Sequence, residues 1–314
     1  MEGDVIEVMS GRDAYRDELS MLADNNKEII CMEADLGGEN HPFKQKHPER
    51  FFNMGIAELA SIDMAAGMAE AGFIPFFSTF APFATIRAAE SMKLAMGYMK
   101  KNIKVVAPYS GVSGGWFGTT HHCLEDIAIV QSFQDIRIAC PFGEEETRRV
   151  IREAAFCKEP YYIRLSRNNS YESLPRDEKQ SCKQILYDGS KVNNARICLV
   201  SVGEEATRLC HFIHHEYNFI AHIHLCYVDI GSLKNYVKEL EQVSPNILIV
   251  EEHRMTGSVA STLSLLLHKS RVFTYCCDEK WPMYGGSSDD VLEYLGFGLE
   301  GLKTEITRIL EDDI

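Results

Sequence analysis

The sequence predicts an α/β protein made of two doubly wound units, the second smaller than the first. Short apolar runs such as Ile29–Met32, Phe73–Phe77 and Ile247–Val250 alternate with stretches of helical periodicity. Strands joined by helices pair in parallel and are covered on both faces, which is why the runs are apolar throughout. A polar stretch from Tyr171 to Lys191, with Pro175 and Gly189, interrupts the alternation and reads as the connection between two cores. The boundary is placed at 180/181, giving units of 1–180 and 181–314. A chain of 314 residues is long enough to fill both.

Along the first unit, a helix from near Asp13 to Ala23 precedes a buried strand at Ile29–Met32. Gly55 to Ala69 reads as a helix that turns Ile56, Leu59, Ile62 and Ala66 to one face. Phe73–Phe77 is a strand, Thr85–Tyr98 a helix and Lys104–Pro108 a strand. Cys123–Phe133 is a helix, Ile136–Cys140 a strand, Glu144–Cys157 a helix and Tyr161–Leu165 a strand. The second unit repeats the alternation with strands at Ile197–Val202, Ile220–Leu225, Ile247–Val250 and Val272–Cys276. Its helices are expected near Ala206–Tyr217, Lys234–Gln242, Ser258–Leu267 and Leu302–Leu310.

The 45% hydrophobic and 25% charged shares are those of a water-soluble globular chain. No apolar run approaches the roughly 20 residues needed to cross a bilayer. Met1–Val5 lacks a basic segment leading into an apolar one, so a cytoplasmic location is expected. A net charge of −14 argues against nucleic acid as a partner. The ten cysteines are scattered without a Cys-x-x-Cys pair, so they read as reduced structural thiols, and no metal site is expected from them.

Chemistry concentrates in the stretch from Phe51 to Phe83. Glu58 opens an apolar helix, and Ser78-Thr79-Phe80 followed by Phe83 brings two aromatic rings after the next strand. A buried acid beside an aromatic shelf suits a planar nitrogen heterocycle, the acid taking a ring nitrogen and the phenyl groups a ring face. Taken singly, an acid at a helix start also serves the helix dipole, and a Phe pair also serves a core. Asp35, followed by Leu36-Gly37-Gly38, stands past a strand end, where parallel sheets carry ligand loops and where an Asp also forms turns. Gly118-Thr-Thr-His121 precedes a helix opened by Glu125 and Asp126, so His121 can donate to a ligand oxygen or carry a proton, while His122 is a neighbour without a direct role. Ser166 and Arg167 close the first unit, and an Arg there can grip an anion. Arg164 reads equally well as a surface residue at a strand end.

Gly55-Ile-Ala-Glu58, Ser78-Thr-Phe80, Thr120-His121 and Ser166-Arg167 resemble the pyrimidine-binding part of transketolases. The resemblance runs over residues 8–310 and points in particular to the separate C-terminal subunit of enzymes split into two chains. It implies a pyrimidine-binding domain followed by a transketolase C-terminal-type domain. It also implies thiamine diphosphate as cofactor, with Glu58 activating the aminopyrimidine and Asp35, Phe80 and Phe83 lining its pocket. His121, Tyr109, Phe117, Ser166 and Arg167 are then the substrate-binding positions, His121 also catalytic.

Phe117 stands where many members carry an Asp, and Tyr109 where a His is expected, so the sugar can differ from the common pentose and hexose phosphates. Glu251-Glu252-His253 resembles a turn that packs at a subunit interface in the family. No Gly-Asp-Gly motif for Mg²⁺ and diphosphate is found, so that half of the site is expected on an N-terminal-type partner subunit. The expected enzyme is an α2β2 transketolase that moves a two-carbon ketol unit between sugar phosphates, with this chain inactive alone. Deoxyxylulose-phosphate synthase, the β-subunit of an oxo-acid dehydrogenase and a non-catalytic assembly subunit are the alternatives.

Overall fold

The computed structural model describes residues 9–168, 174, 185–188, 192 and 194–312. The connection expected at Tyr171 to Lys191, and with it the boundary at 180/181, lies largely outside these residues, as does Cys182.

The first layer system runs α1 (Gly11–Asn25), β1 (Ile29–Glu33), α2 (Pro42–Lys46), β2 (Phe51–Asn53), α3 (Glu58–Glu70) and β3 (Ile74–Ser78). It continues through α4 (Ala89–Ser91), β4 (Lys104–Ala107), α5 (Asp126–Gln131), β5 (Arg137–Ala139), α6 (Gly143–Phe156) and β6 (Tyr161–Arg164). The six strands form one parallel sheet in the order β2-β1-β3-β4-β6-β5. β7 (Ile185–Tyr187), β8 (Ile197–Val202), α7 (Glu204–Glu216), β9 (Ile220–Leu225), α8 (Ile230–Val243) and β10 (Asn246–Glu251) begin the second. α9 (Val259–Leu266), β11 (Arg271–Cys276), α10 (Ser288–Tyr294) and α11 (Leu299–Glu311) complete it. Its order is β11-β10-β8-β9-β7, parallel except for the antiparallel edge strand β7. The two parallel α/β sheets expected from the alternation are therefore present.

The sheets are joined rather than merely neighbouring. Edge strand β5 meets the segment after β9 through the Ala139–Tyr227 bridge, with Cys140 N–H donating to Cys226 O at 2.6 Å and Val228 N–H to Ile138 O at 2.9 Å. An apolar cluster runs without a break from Met32 and Tyr162 of one sheet to Ile223 and Ile249 of the other. Its buried polar counterpart is centred on Asp126. Arg164 Nε and Tyr162 Oη both donate to Asp126 Oδ2, at 2.9 and 2.8 Å, while Arg164 Nη2 donates to the Glu252 carbonyl at 2.9 Å. Arg164 is buried, so its reading as a surface residue does not hold: its strand ends inside the junction. Glu252 Oε1 accepts from Val112 N–H at 2.7 Å, and at Gly111 (φ 57°) a side chain would fall 2.2 Å from that carboxyl. Within the chain, the Glu251–His253 turn packs at this intrachain junction, with Glu251 accepting from Val259 and Ala260 N–H at the start of α9.

Two expectations shift. α3 begins at Glu58 and buries Glu58, Ser61, Ile62 and Ala65, leaving Ile56 75% and Leu59 44% exposed. The inward face is thus the one that carries the acid, rotated from the purely apolar face that periodicity suggests. The helix expected over Thr85–Tyr98 is broken into wide π turns at Phe83–Arg87 and Met92–Tyr98, with Ala88 N–H reaching back to Phe83 O. Strands β2 and β7 and helices α2 and α10 were not signalled by sequence pattern.

Burial raises the Glu252 carboxyl to about 7, from 4.5 in an exposed setting. The folded chain therefore holds a proton that the unfolded chain releases between these values, and stability from this group, full below pH 4.5, is lost as pH rises to 7. Urea unfolding should show wild type losing up to about 3 kcal/mol relative to Glu252→Gln between pH 5 and 8. A difference that stays flat across that range would contradict the assignment.

Candidate active site at the carboxyl ends of the first sheet

Ligand sites of parallel sheets form beyond the carboxyl ends of the strands, where loops diverge. Here the loops after β1, β3, β4 and β6 carry Asp35, Phe80, Tyr109 and Arg167. The loop after β4 is tied at its neck by reciprocal backbone bonds between Gly111 and Cys123, and Ser110 Oγ donates to Leu165 O at 2.7 Å. Its far side is pinned to the second layer system. Thr119 Oγ1 donates to Pro282 O at 2.7 Å, and a side chain at Gly115 would fall 2.4 Å from Gly286 O.

Glu58 is 3% exposed at the first residue of α3. Its surroundings are not wholly apolar, because Arg87 Nη1 donates to Oε1 at 2.8 Å. The same guanidinium lies 4.1 Å from the centre of the Phe83 ring. Arg87 thus makes the two contacts of a flat, nitrogen-rich ring: an N–H to the acid and a face to the phenyl group. Its side chain is 46% exposed, so solvent reaches the side turned away from Glu58.

Phe83 begins an aromatic wall that includes Phe80, Tyr109, Phe117 and His121. Phe80 is its hub, at 5.6 Å from Phe83, 4.2 Å from Tyr109 and 5.1 Å from His121. Phe117 stacks on the His121 imidazole at 5.1 Å and 27°. Tyr109 takes a left-handed backbone (φ 64°), costly for a residue with a side chain, and is held by Arg12 Nη1 donating to its hydroxyl at 3.1 Å. The Arg167 guanidinium also lies over that ring, at 5.4 Å. Desolvation, aided by the Arg87 charge, pushes the His121 imidazole below its ordinary 6.5, so it is neutral at pH 7.

Other expected residues stand further out. Asp35 is exposed with a positive φ of 56°. Its loop is braced by Arg16, which donates to Glu33 Oε2 and to Leu36 O, each at 2.9 Å, and by His41, whose Nε2 lies 2.8 Å from Glu33 Oε1. Ser166 Oγ accepts from Asn168 N–H at 3.1 Å. His122 is buried, its Nε2 3.2 Å from Gly115 O, in keeping with a supporting position. Sequence reasoning missed Arg87 and Arg12. A cation four residues after Phe83 in a helix-like stretch was the available signal for the first; none marked the second.

An α/β sheet that carries a buried acid and an aromatic wall at its strand ends offers the two surfaces that a flat heterocycle would need. The sequence profile of the transketolase pyrimidine binding domain matches residues 7–172. The chain belongs to the transketolase family. It is 29% identical to a putative transketolase C-terminal section of Methanocaldococcus jannaschii over 96% of this chain and 95% of the relative. It is 31% identical to one of the subunits of the apulose-4-phosphate transketolase of Actinobacillus succinogenes, over 71% of each chain. Among solved structures, a split-gene transketolase described as an inactive β4 tetramer superposes with a TM-score of 0.80 at 25% identity, covering 97% of this chain and 99% of that one. The chain is a transketolase-like C-terminal, or β, subunit, and its domain is of the thiamine-diphosphate-dependent kind.

Because the Arg87 charge adds to the lowering at His121, NMR titration of Arg87→Gln should show the imidazole protonating at higher pH than in wild type, still short of 6.5 because desolvation remains. An unchanged titration would remove Arg87 from the account.

Proposed function

We propose that this chain binds the pyrimidine half of thiamine diphosphate and, with an N-terminal-type subunit that holds the diphosphate and Mg²⁺, transfers a two-carbon ketol unit between sugar phosphates. The posture of Arg87 carries the reading: a planar cation already bonds to Glu58 and stacks on Phe83, the contacts an aminopyrimidine would take over. Residues 1–180 would form the pyrimidine-binding domain and 181–314 the C-terminal-type domain. The split-gene relative described as an inactive β-only tetramer supports dependence on a partner chain.

Thiamine diphosphate, when bound, would supply the carbon nucleophile that ketol transfer from a ketose to an aldose requires. Glu58, once Arg87 turns outward, would offer Oε1 to the pyrimidine ring nitrogen. Phe83 and Phe80 receive the ring face and keep water from it. His121, neutral and beside Phe80, accepts a proton from a sugar hydroxyl and returns it. Tyr109 and Phe117 narrow the entrance, and Ser166 and Arg167 face the anionic end of the sugar. Asp35 lies at the rim, toward the partner chain. A cytoplasmic setting and an α2β2 assembly complete the proposal. Among the described residues, no helix is long and apolar enough to cross a membrane.

The test is reconstitution with the partner subunit, thiamine diphosphate and Mg²⁺ across a panel of sugar phosphates. Activity should appear only in the mixture, and Glu58→Gln should lower kcat by at least about 100-fold. Full activity in that variant would sink the catalytic role. Arg167→Ala should raise KM about tenfold or more for a phosphorylated sugar while leaving an unphosphorylated one unchanged. Equal effects on both would assign Arg167 to packing on Tyr109 instead.

A further inference from the structure

The second layer system carries a cluster that the proposed function does not use. Helix α7 places His211 and His215 four residues apart, hence on one face. Both rings turn toward Asp188, which follows β7, and they sit 4.4 Å apart between centres. Asp188 is 1% exposed, and its two oxygens are treated differently. Oδ2 lies 2.7 Å from His211 Nδ1 and 2.8 Å from His222 Nδ1 of β9. Oδ1 is buried and has no hydrogen-bond partner among the described residues, and His215 Nε2 stands 4.0 Å from it.

We propose that Asp188, His211 and His215 bind one divalent ion of the zinc type. One donor atom from each of the three lies within 4.8 Å of the others. Zinc bonds to imidazole nitrogen and carboxylate oxygen are about 2.0–2.2 Å, so tetrahedral ligands sit roughly 3.3 Å apart. Closing the site needs a turn of His215, whose side chain is 60% exposed, across the 4.0 Å gap, and His211 exchanging its hydrogen bond to Oδ2 for the ion. The ion gives the orphaned Oδ1 its partner, and water completes the coordination. His222 stays on Oδ2, its far nitrogen 2.8 Å from Ser201 Oγ, and so orients the carboxylate as an outer-shell imidazole does. Imidazole–carboxylate donors without thiolate favour Zn²⁺, Co²⁺ or Ni²⁺ over Mg²⁺ or Ca²⁺.

The remaining three-residue cluster, Cys31, Glu33 and His41, is a different case. Both oxygens of Glu33 are engaged, by His41 and Arg16, and burial raises the Cys31 thiol well above its ordinary value. An ion between β7 and α7 would clamp the antiparallel edge strand of the second sheet to its helix, just after the connection from the first layer system.

The test uses the untagged full-length chain with Zn²⁺ alone, followed by calorimetry and thermal melting. Wild type should bind one ion and melt higher with it. His215→Gln, at an exposed position, should keep its circular dichroism and weaken binding at least about tenfold, while His268→Gln, elsewhere on the surface, should not. Co²⁺ in place of Zn²⁺ should give a visible spectrum without thiolate charge-transfer bands. Undiminished binding in His215→Gln, no binding by wild type, or a thiolate band from Co²⁺ would each overturn the site.

Discussion

The buried ion pair between Arg164 and Asp126 is the constraint on which the rest of this structure depends. Arg164 ends β6 and Asp126 begins α5, and the guanidinium also takes the carbonyl of Glu252 from the second sheet. Glu252 in turn holds Val112 N–H, in the loop that carries Tyr109, Phe117 and His121. One charge cluster thus sets the angle between two sheets and the position of the loop over the first. Buried pairs of this kind add little net stability but penalise any arrangement that separates them, because an unpaired buried charge costs several kcal/mol. They specify geometry more than they strengthen it.

The site inherits that geometry. Glu58 is delivered by a helix start, Phe80 and Phe83 by the exit of β3, and Tyr109 by the exit of β4. The aromatic wall is therefore assembled before any ligand arrives, and its rings brace one another instead of awaiting a partner. Arg12 on its hydroxyl and Arg167 over its ring contact Tyr109 in a left-handed backbone conformation that is costly for a residue with a side chain. The resulting surface is braced ring against ring along the wall and open where Arg87 stands.

Much of this was legible in the chain. Strands Ile197–Val202 and Ile220–Leu225 match their expected bounds residue for residue, because both are buried along their whole length, His222 and His224 of the second included. Edge strands β2 and β7 were not legible, being short and carried by pairing with a neighbour instead of by their own composition. The face of α3 was misread because a buried Glu takes a place that periodicity assigns to Leu. In the site, motif residues such as Glu58 and His121 could be found, since they stand beside other signature residues. Arg12 could not be, since its contact with Tyr109 spans 97 residues of sequence and exists only after folding. The same holds for Asp188 and the histidines of α7, which lie on separate elements.

The wide turns at Phe83–Arg87 and Met92–Tyr98 have a consequence for how this segment varies in length. A π turn stores a surplus residue as a local widening while the helix on either side keeps its direction. A deletion there can be absorbed by reverting to ordinary pitch, and a duplication by adding another wide turn. Related chains can therefore drift by a residue between Phe83 and Lys104 without displacing the strand that follows. Between Met92 and Tyr98, beyond Phe83 and Arg87, a change of one residue would leave the side chains of the site where they stand.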